Sequence, residues 1–306
     1  MAPGLRAGGG NFVKARTHTR RRIRRMSTSR NQNQVLLIAV ENEPFPRGPS
    51  GESCRLKLND WLDLANDLNT HAQLEICPLN ELNQRQPDVV EAFFGRHTLL
   101  TDATFPSREE HHSVSRFSNY WPAVERSAIP AIGVIKGTPA RFPVFVRGEE
   151  GTFAGGGCIR TPAALRRLRQ TGRPLIVRPY VDIRRADKRD AVHLELRVHV
   201  VAGHATAVEY LFPPWAVQRP TDRELAAGRA WTESEASAAA SHAERVAANL
   251  EHCRWFVADF AATMDGLQLI ELNPGWCAGI AHDCAARAVH AAILTGIFGI
   301  NLPIAS

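Results

Sequence analysis

Residues 255–280 read WFVADFAATMDGLQLIELNPGWCAGI. Trp255–Thr263 and Leu267–Asn273 are apolar runs of strand length, and Asp265-Gly266 between them suits the left-handed residues of a tight hairpin turn. Successive side chains of a strand point to opposite faces, so Glu271 and Asn273 share one face and the turn folds Asp259 back toward them. Two carboxylates and an amide oxygen projecting together make a hard oxygen site. Such a site suits Mg2+, which takes one or two carboxylates and completes its shell with water and phosphate oxygens. A solvated hairpin face is the competing reading, since acids on strands commonly point to water. The apolar neighbours Leu269, Ile270 and Leu272 weigh toward the metal.

Upstream of this hairpin, His193–Val201 and His204–Leu211 read as long strands joined by a turn at Ala202-Gly203, and a helix is predicted over Glu233–Glu251. Pro130–Ile135, Phe142–Arg147 and Pro174–Val181 read as further strands. Between the last two lie a glycine-rich loop (Gly151, Gly155, Gly156, Gly157) and a helix opened by Thr161-Pro162, a good N-cap followed by proline at the first helical position. Helical patterns also cover Ser113–Arg126 and an apolar stretch near Cys284–Phe298. Toward the N-terminus, Val35–Val40 has the unbroken apolar character of a buried parallel strand. A helix near Arg55–Leu68 and strands at Gln73–Cys77 and His97–Thr101 follow it in alternation. The expectation is an α/β N-terminal domain over residues 34–128 and an α+β domain over residues 129–306.

The net charge of +6 and the pI near 9.3 suggest a nucleic-acid or membrane partner until the charges are placed. Residues 1–30 carry nine basic side chains and no acid, whereas residues 31–306 hold 28 basic against 31 acidic groups, a net of −3. The body is therefore mildly acidic. Residues 1–33 are expected to be a disordered basic leader, because they offer few large apolar side chains to offset the entropy of ordering. An organellar presequence, a nucleic-acid-binding arm and an over-extended reading frame with Met26 as the start are its three readings; a tail without catalytic role is favoured. No stretch approaches the roughly 20 apolar residues of a membrane-spanning helix. The N-terminus lacks the apolar core of a secretory signal, and six cysteines without a CxxC pair point to reduced thiols in the cytoplasm. Only four lysines are present, so a site that needs a cation must use arginine.

With these segments in hand, residues 113–280 resemble the ATP-grasp ligases, most strongly in the D…ExN arrangement of Asp259, Glu271 and Asn273. The resemblance implies that these three hold two Mg2+ ions and that the domain over 129–306 is an ATP-grasp fold. FPVFVR, ending at Arg147, is similar to the strand whose last residue is ordinarily a lysine on the ATP phosphates. EEGTFAGGGC resembles the mobile loop in which glycines such as Gly155, Gly156 and Gly157 let backbone N–H groups approach phosphate. LIVRPYV looks like the hinge strand that meets adenine, here around Arg178, Pro179 and Val181, and ELRVHVVAG like the strand whose Glu195 falls on the ribose. Arg147 and Arg116 stand where the family's two phosphate lysines would be, as in a subgroup with arginines there. Arginine suffices, because its planar fork binds phosphate bidentately. Glu149 and Glu150 are out of place beside a triphosphate unless they point away or meet a cation.

Several assignments have structural rivals. Arg147 could pair with Glu149 or Glu150, and Arg178 with Glu195 or Glu271. Arg197 shares a face with Glu195 and reaches either phosphate or a carboxylate; with Arg147 it is the candidate catalytic cation. His111-His112, read as strand or loop, and His282-Asp283-Cys284 are weaker candidates, for transition-metal and nucleophilic chemistry respectively. Phe212-Pro213-Pro214-Trp215 reads as a rigid turn, with Trp215 a substrate-contact candidate. The function implied is an ATP-dependent ligase joining a small-molecule or peptide carboxylate to an amine or thiol through an acyl phosphate, with ATP and Mg2+ as cofactors and room for a homodimer. The alternatives are a catalytically inactive nucleotide-binding module and nucleic-acid binding through the leader.

Overall fold

Apolar runs and alternating segments form three sheets among the residues that the computed structural model describes, namely 35–40, 73–78, 105–150, 156–181, 195–211, 222–263, 265–276, 278, 280 and 283–299. In chain order the elements are β1 (Val35–Val40), β2 (Gln73–Pro78), α1 (Arg108–Ser115), α2 (Phe117–Ser127), β3 (Val144–Arg147), β4 (Gly157–Ile159), α3 (Pro162–Arg169) and β5 (Ile176–Pro179). They continue with β6 (Glu195–Val201), β7 (His204–Leu211), α4 (Asp222–Ala247), β8 (Trp255–Thr263), β9 (Gly266–Pro274) and α5 (Asp283–Ala292), which runs into a π-helical turn at Ile293–Ile297. All of them lie within one unit, Gln32–Ser306. The expected leader over 1–33, the helix near Arg55–Leu68, the strand at His97–Thr101, Gly151, Gly155, the 212–215 turn and His282 fall outside the described residues.

β1 and β2 pair in parallel, β3 lies between β4 and β5 in an antiparallel sheet, and the order β7-β6-β8-β9 makes the four-stranded antiparallel sheet. Leu196, Val198 and Val200 of β6 and Ala258 and Phe260 of β8 alternate onto one face of the large sheet, where α4 supplies Ala239, Ala243 and Val246 and α5 supplies Val289 to the same core. α1 and α2 join that core through Val114, Phe117, Tyr120 and Val124. The small sheet has its own core, in which Leu165 of α3 packs against Val144, Val146, Ile159 and Val177. Thr161 caps α3 by accepting from the Ala164 N–H at 3.2 Å, with Pro162 at the first position.

Four segments depart from the sequence expectation, each for a local reason. The single helix over Ser113–Arg126 is two helices, broken at Arg116, whose backbone is extended (φ −114°, ψ 131°). α1 starts early because Ser107 and Glu110 form a capping box, each side chain bonding the other's backbone N–H. α2 starts where Glu149 supplies its cap from another segment: the Phe117 N–H donates to the Glu149 carbonyl and the Ser118 N–H to its carboxylate, both at 2.9 Å. Residues 130–135 are not a strand but a crossing segment. Its Ile132 N–H meets Leu269 O of the large sheet at 3.1 Å, and its Ile135 N–H meets Val177 O of the small one at 2.8 Å. The helix expected from Glu233 begins eleven residues earlier, at Asp222. The apolar C-terminal helix leaves α geometry at Ile293.

The turn after β9 shows why glycine stands at 275. A Cβ added to Gly275 would fall inside the Trp255 indole, which is fully buried in the core. Gly275→Ala should therefore lower stability by about 1–3 kcal/mol, the usual cost of overpacking. Urea denaturation followed by tryptophan fluorescence checks this; an unchanged midpoint would contradict it.

Candidate functional site

Alternation along β6 places Glu195, Arg197 and His199 on the face opposite the core. Arg197 is the direct partner of Glu209 on β7 and of Asp259 on β8, and Asp259 is the partner of Glu271 on β9. A charged row, Glu209, Arg197, Asp259, Glu271, thus crosses all four strands. Two β-bulges bring it into line. Without one, the turn at Ala202-Gly203 would set Arg197 opposite Val208; Thr206 is the extra residue, and its hydroxyl donates to the His199 carbonyl at 3.1 Å. In the second hairpin Ile270 is the extra residue, and it shifts the partner of Asp259 to Glu271. It also reverses the strand's parity. Leu267 and Leu269 face the core before the bulge and Leu272 after it, leaving Glu271 and Asn273 on the open face.

The structure brings the predicted triad together. Asn273 Nδ2 donates to Asp259 Oδ2 at 2.9 Å and to Glu271 Oε1 at 3.1 Å. Arg197 grips Asp259 with both arms of its fork, Nε to Oδ1 at 2.9 Å and Nη2 to Oδ2 at 3.0 Å. Arg147 Nη1, from the end of β3, donates to Glu271 Oε2 at 2.5 Å. Asp259 and Arg147 are only 2% and 4% exposed. Burial pushes the Glu195 carboxyl up to about 7, helped by the negative charges of Asp259 and Glu271 and opposed by Arg197. Burial works against the Arg197 charge, but the Asp259 carboxylate more than compensates and raises its pKa.

The donor chemistry fits a hard divalent cation: two carboxylates and one amide, with a third carboxylate, Glu195, close enough to feel their charge. Among the described residues no three His, Cys, Asp or Glu side chains surround a common point as metal ligands. An ion would therefore rest on Asp259, Glu271 and the Asn273 oxygen, with the amide turned from the orientation in which Nδ2 bridges the two carboxylates.

The arginines take different places. Arg147 does not pair with Glu149 or Glu150; Glu149 caps α2, and Glu150 accepts from Arg116 Nε at 3.2 Å on the surface. That arrangement also accounts for two acids beside the glycine-rich loop. Arg178 does not pair with Glu195 or Glu271 either. Its Nη1 donates to Ile270 O at 2.6 Å, and its Nε, at 3.0 Å, and Nη2 donate to Ile132 O. Ile270 is the bulge residue, so the buried guanidinium satisfies the carbonyl that the bulge removes from the ladder. Burial lowers the Arg178 pKa to about 10. Phe117 and Trp121 stack at 4.8 Å; Arg178 lies over both rings and Arg147 over Phe117. Gly156 and Gly157 lead into β4, Pro179 ends β5 on the surface, and Val181 follows half-buried.

His111 and His112 lie on α1, not on a strand or loop, with His111 against Trp276 (5.8 Å between ring centres). Cys284 opens α5. Burial pushes the Cys253 thiol up to about 12, which keeps it protonated and unreactive. Sequence reasoning missed Tyr120, whose buried phenol is pushed up to about 12 beside Arg147 and Glu271, and it missed the buried pair His199 and Glu209. The two-residue period from Arg197 points to His199. Glu209 has no such signal, because the Thr206 bulge decides it.

The family model for the ATP-grasp domain, R-two-K clade family 3, matches residues 80–293. Among solved structures, a RimK domain ATP-grasp protein from Sphaerobacter thermophilus superposes with a TM-score of 0.53 at 10% identity, over 84% of this chain and 99% of that one. D-alanine–D-alanine ligase from Bacillus anthracis gives 0.53 at 10% identity, over 87% and 97%. N5-carboxyaminoimidazole synthase from Aspergillus clavatus, in complex with ADP and a ribonucleotide, gives 0.55 at 12% identity, over 88% and 78%. At such identities the likeness is one of fold. No curated protein sequence matches the chain.

Two outcomes follow from the geometry. Arg178→Met should cost about 1–3 kcal/mol for each carbonyl left unsatisfied, at Ile132 and Ile270, as read by urea denaturation. Glu195 binds its proton more tightly folded than unfolded, so its contribution is fully present below the ordinary carboxylate range and is lost as pH rises through about 7. Glu195→Gln should therefore gain stability relative to wild type between about pH 5 and pH 8, and equal gains at both pH values would count against the assignment.

Proposed function

The chain belongs to the ATP-grasp domains of R-two-K clade family 3, and from that premise we propose that it is an ATP-dependent ligase joining a carboxylate to an amine, or to a thiol, through an acyl phosphate. The observation that carries the reading is the convergence of Asp259, Asn273 and Glu271 beneath Arg147 and Arg197. The fold likeness to a D-alanine–D-alanine ligase and to a synthase complexed with ADP supports it.

In this reading the substrate carboxylate attacks the γ-phosphate of ATP, ADP departs, and the amine displaces phosphate from the acyl phosphate. Asp259, Glu271 and Asn273 would hold Mg2+, as two ions, whose chemistry is to neutralise charge on the phosphate oxygens. Arg147 and Arg116 orient the phosphates in the places where related ligases use lysine, each with a planar fork that matches phosphate oxygens. Arg197 faces the developing charge on the transferred group. Backbone N–H groups at Gly155, Gly156 and Gly157 close on the phosphates, the main chain around Arg178, Pro179 and Val181 receives adenine, and Glu195 receives the ribose. Arg178 acts there through its own main chain, its guanidinium being engaged by the Ile132 and Ile270 carbonyls. Phe117 backs Arg147 and Arg178 with its ring, and Trp121 backs Arg178. No described helix is long and apolar enough to cross a membrane; a cytoplasmic location belongs to the proposal.

A thermal-shift titration with Mg-ATP tests the reading, since a ligand held by the native state alone stabilises it by about 2.7 kcal/mol at a hundredfold excess over Kd. Wild type should rise by several degrees, and the Asp259→Asn, Glu271→Gln double variant should not. Release of ADP and phosphate on adding carboxylate and amine panels separates a ligase from an inactive nucleotide-binding module. Absence of any ATP-dependent shift in wild type would sink both.

A further inference from the structure

The charged row ends on β7 at Glu209, a residue with no part in the activity proposed above. Its carboxylate is 1% exposed and stands 2.7 Å from Nε2 of His199, whose side chain is wholly buried. It faces Arg197 across the β6–β7 ladder, and its negative charge is one of those that keep the Arg197 guanidinium strongly basic. A buried pair of this kind adds little stability over well-packed apolar residues, so its contribution lies in what it fixes. What it adjoins is Arg197, whose fork is closed on Asp259.

We propose that Glu209, seated by His199, is a positioning residue that holds Arg197 in the row and thereby frees Asp259 to serve a divalent cation. This rests on the functional reading above. A cation arriving at Asp259 competes with Arg197 for the same two oxygens and repels it. With Glu209 in place, Arg197 keeps a counter-charge on its other side and the row is the more negative for it. Without it, Arg197 closes more tightly on Asp259 and the site loses one negative charge. Both effects weaken cation binding.

Mn2+ binding to the full chain, followed by electron paramagnetic resonance with a non-hydrolysable ATP analogue present, tests this. Glu209→Gln should bind Mn2+ about tenfold more weakly, the lower end of the loss seen when groups that support metal ligands are removed, with an unliganded melting midpoint near that of wild type. The double variant His199→Leu, Glu209→Leu removes the pair whole; it should melt at or above wild type and show the same loss. A purely structural pair would change the midpoint and leave Mn2+ affinity alone. If either variant folds and binds Mn2+ within about twofold of wild type, while Asp259→Asn abolishes binding, the inference is overturned and the functional reading stands. If neither folds, the pair is structural and the inference is overturned. If wild type itself binds no Mn2+ with the nucleotide analogue, both fall together.

Discussion

Two extra residues, Thr206 and Ile270, decide which side chains of β7 and β9 join Arg197 and Asp259 on the open face of the large sheet. A strand's side-chain period is two, so one inserted residue moves all that follows to the other face. In β9 the insertion turns Glu271 and Asn273 away from the core that Leu267 and Leu269 have just entered. In β7 it sets Glu209, rather than Val208, opposite Arg197. Each bulge leaves the ladder locally unsatisfied, and each is repaired by a polar side chain: Thr206 on the His199 carbonyl, Arg178 on the Ile270 carbonyl. The site is thus a consequence of local irregularity held in place by hydrogen bonds, and the regular sheet around it is the frame.

Arginines also tie the small sheet to the large one. β3 sends Arg147 to Glu271 and β5 sends Arg178 to Ile270, so neighbouring strands of one sheet grip neighbouring residues of a strand in the other. Residues 130–135 run alongside and bond both sheets. Phe117 and Trp121 lie against the two guanidinium groups, which lets α2 report its position to both links. A lysine at 178 could not reach two carbonyls with a rigid fork while keeping a flat face for aromatic contact.

Much of this was legible, unevenly and for physical reasons. The hairpin turn at Ala202-Gly203, the Thr161-Pro162 helix start and the meeting of Asp259, Glu271 and Asn273 follow from short-range chemistry, and they stand in the fold; in the second hairpin Gly266 already pairs with Thr263, so the turn falls one residue earlier than Asp265-Gly266. The capping box at Ser107 and Glu110 carried an equally local signal. The break at Arg116 did not, because its cause, Glu149, lies 31 residues from the Ser118 N–H it caps. Arg178 and Arg147 exchanged expected partners for the same reason: a guanidinium chooses among acceptors that only the tertiary fold brings near. Glu209 stayed hidden behind a bulge that no glycine or proline announces.

Glu149 and Glu150 lie two and three residues beyond Arg147, and they reach the start of α2 and Arg116. The first N–H groups of that helix are therefore already answered by the Glu149 carbonyl and carboxylate, and the guanidinium beside them by the Glu150 carboxylate. An anion coming to Arg116 meets an exchange, in which one carboxylate must yield for another group to enter. Its binding strength there is a difference between two exposed ion pairs, small in magnitude, and it grows with the charge the newcomer brings.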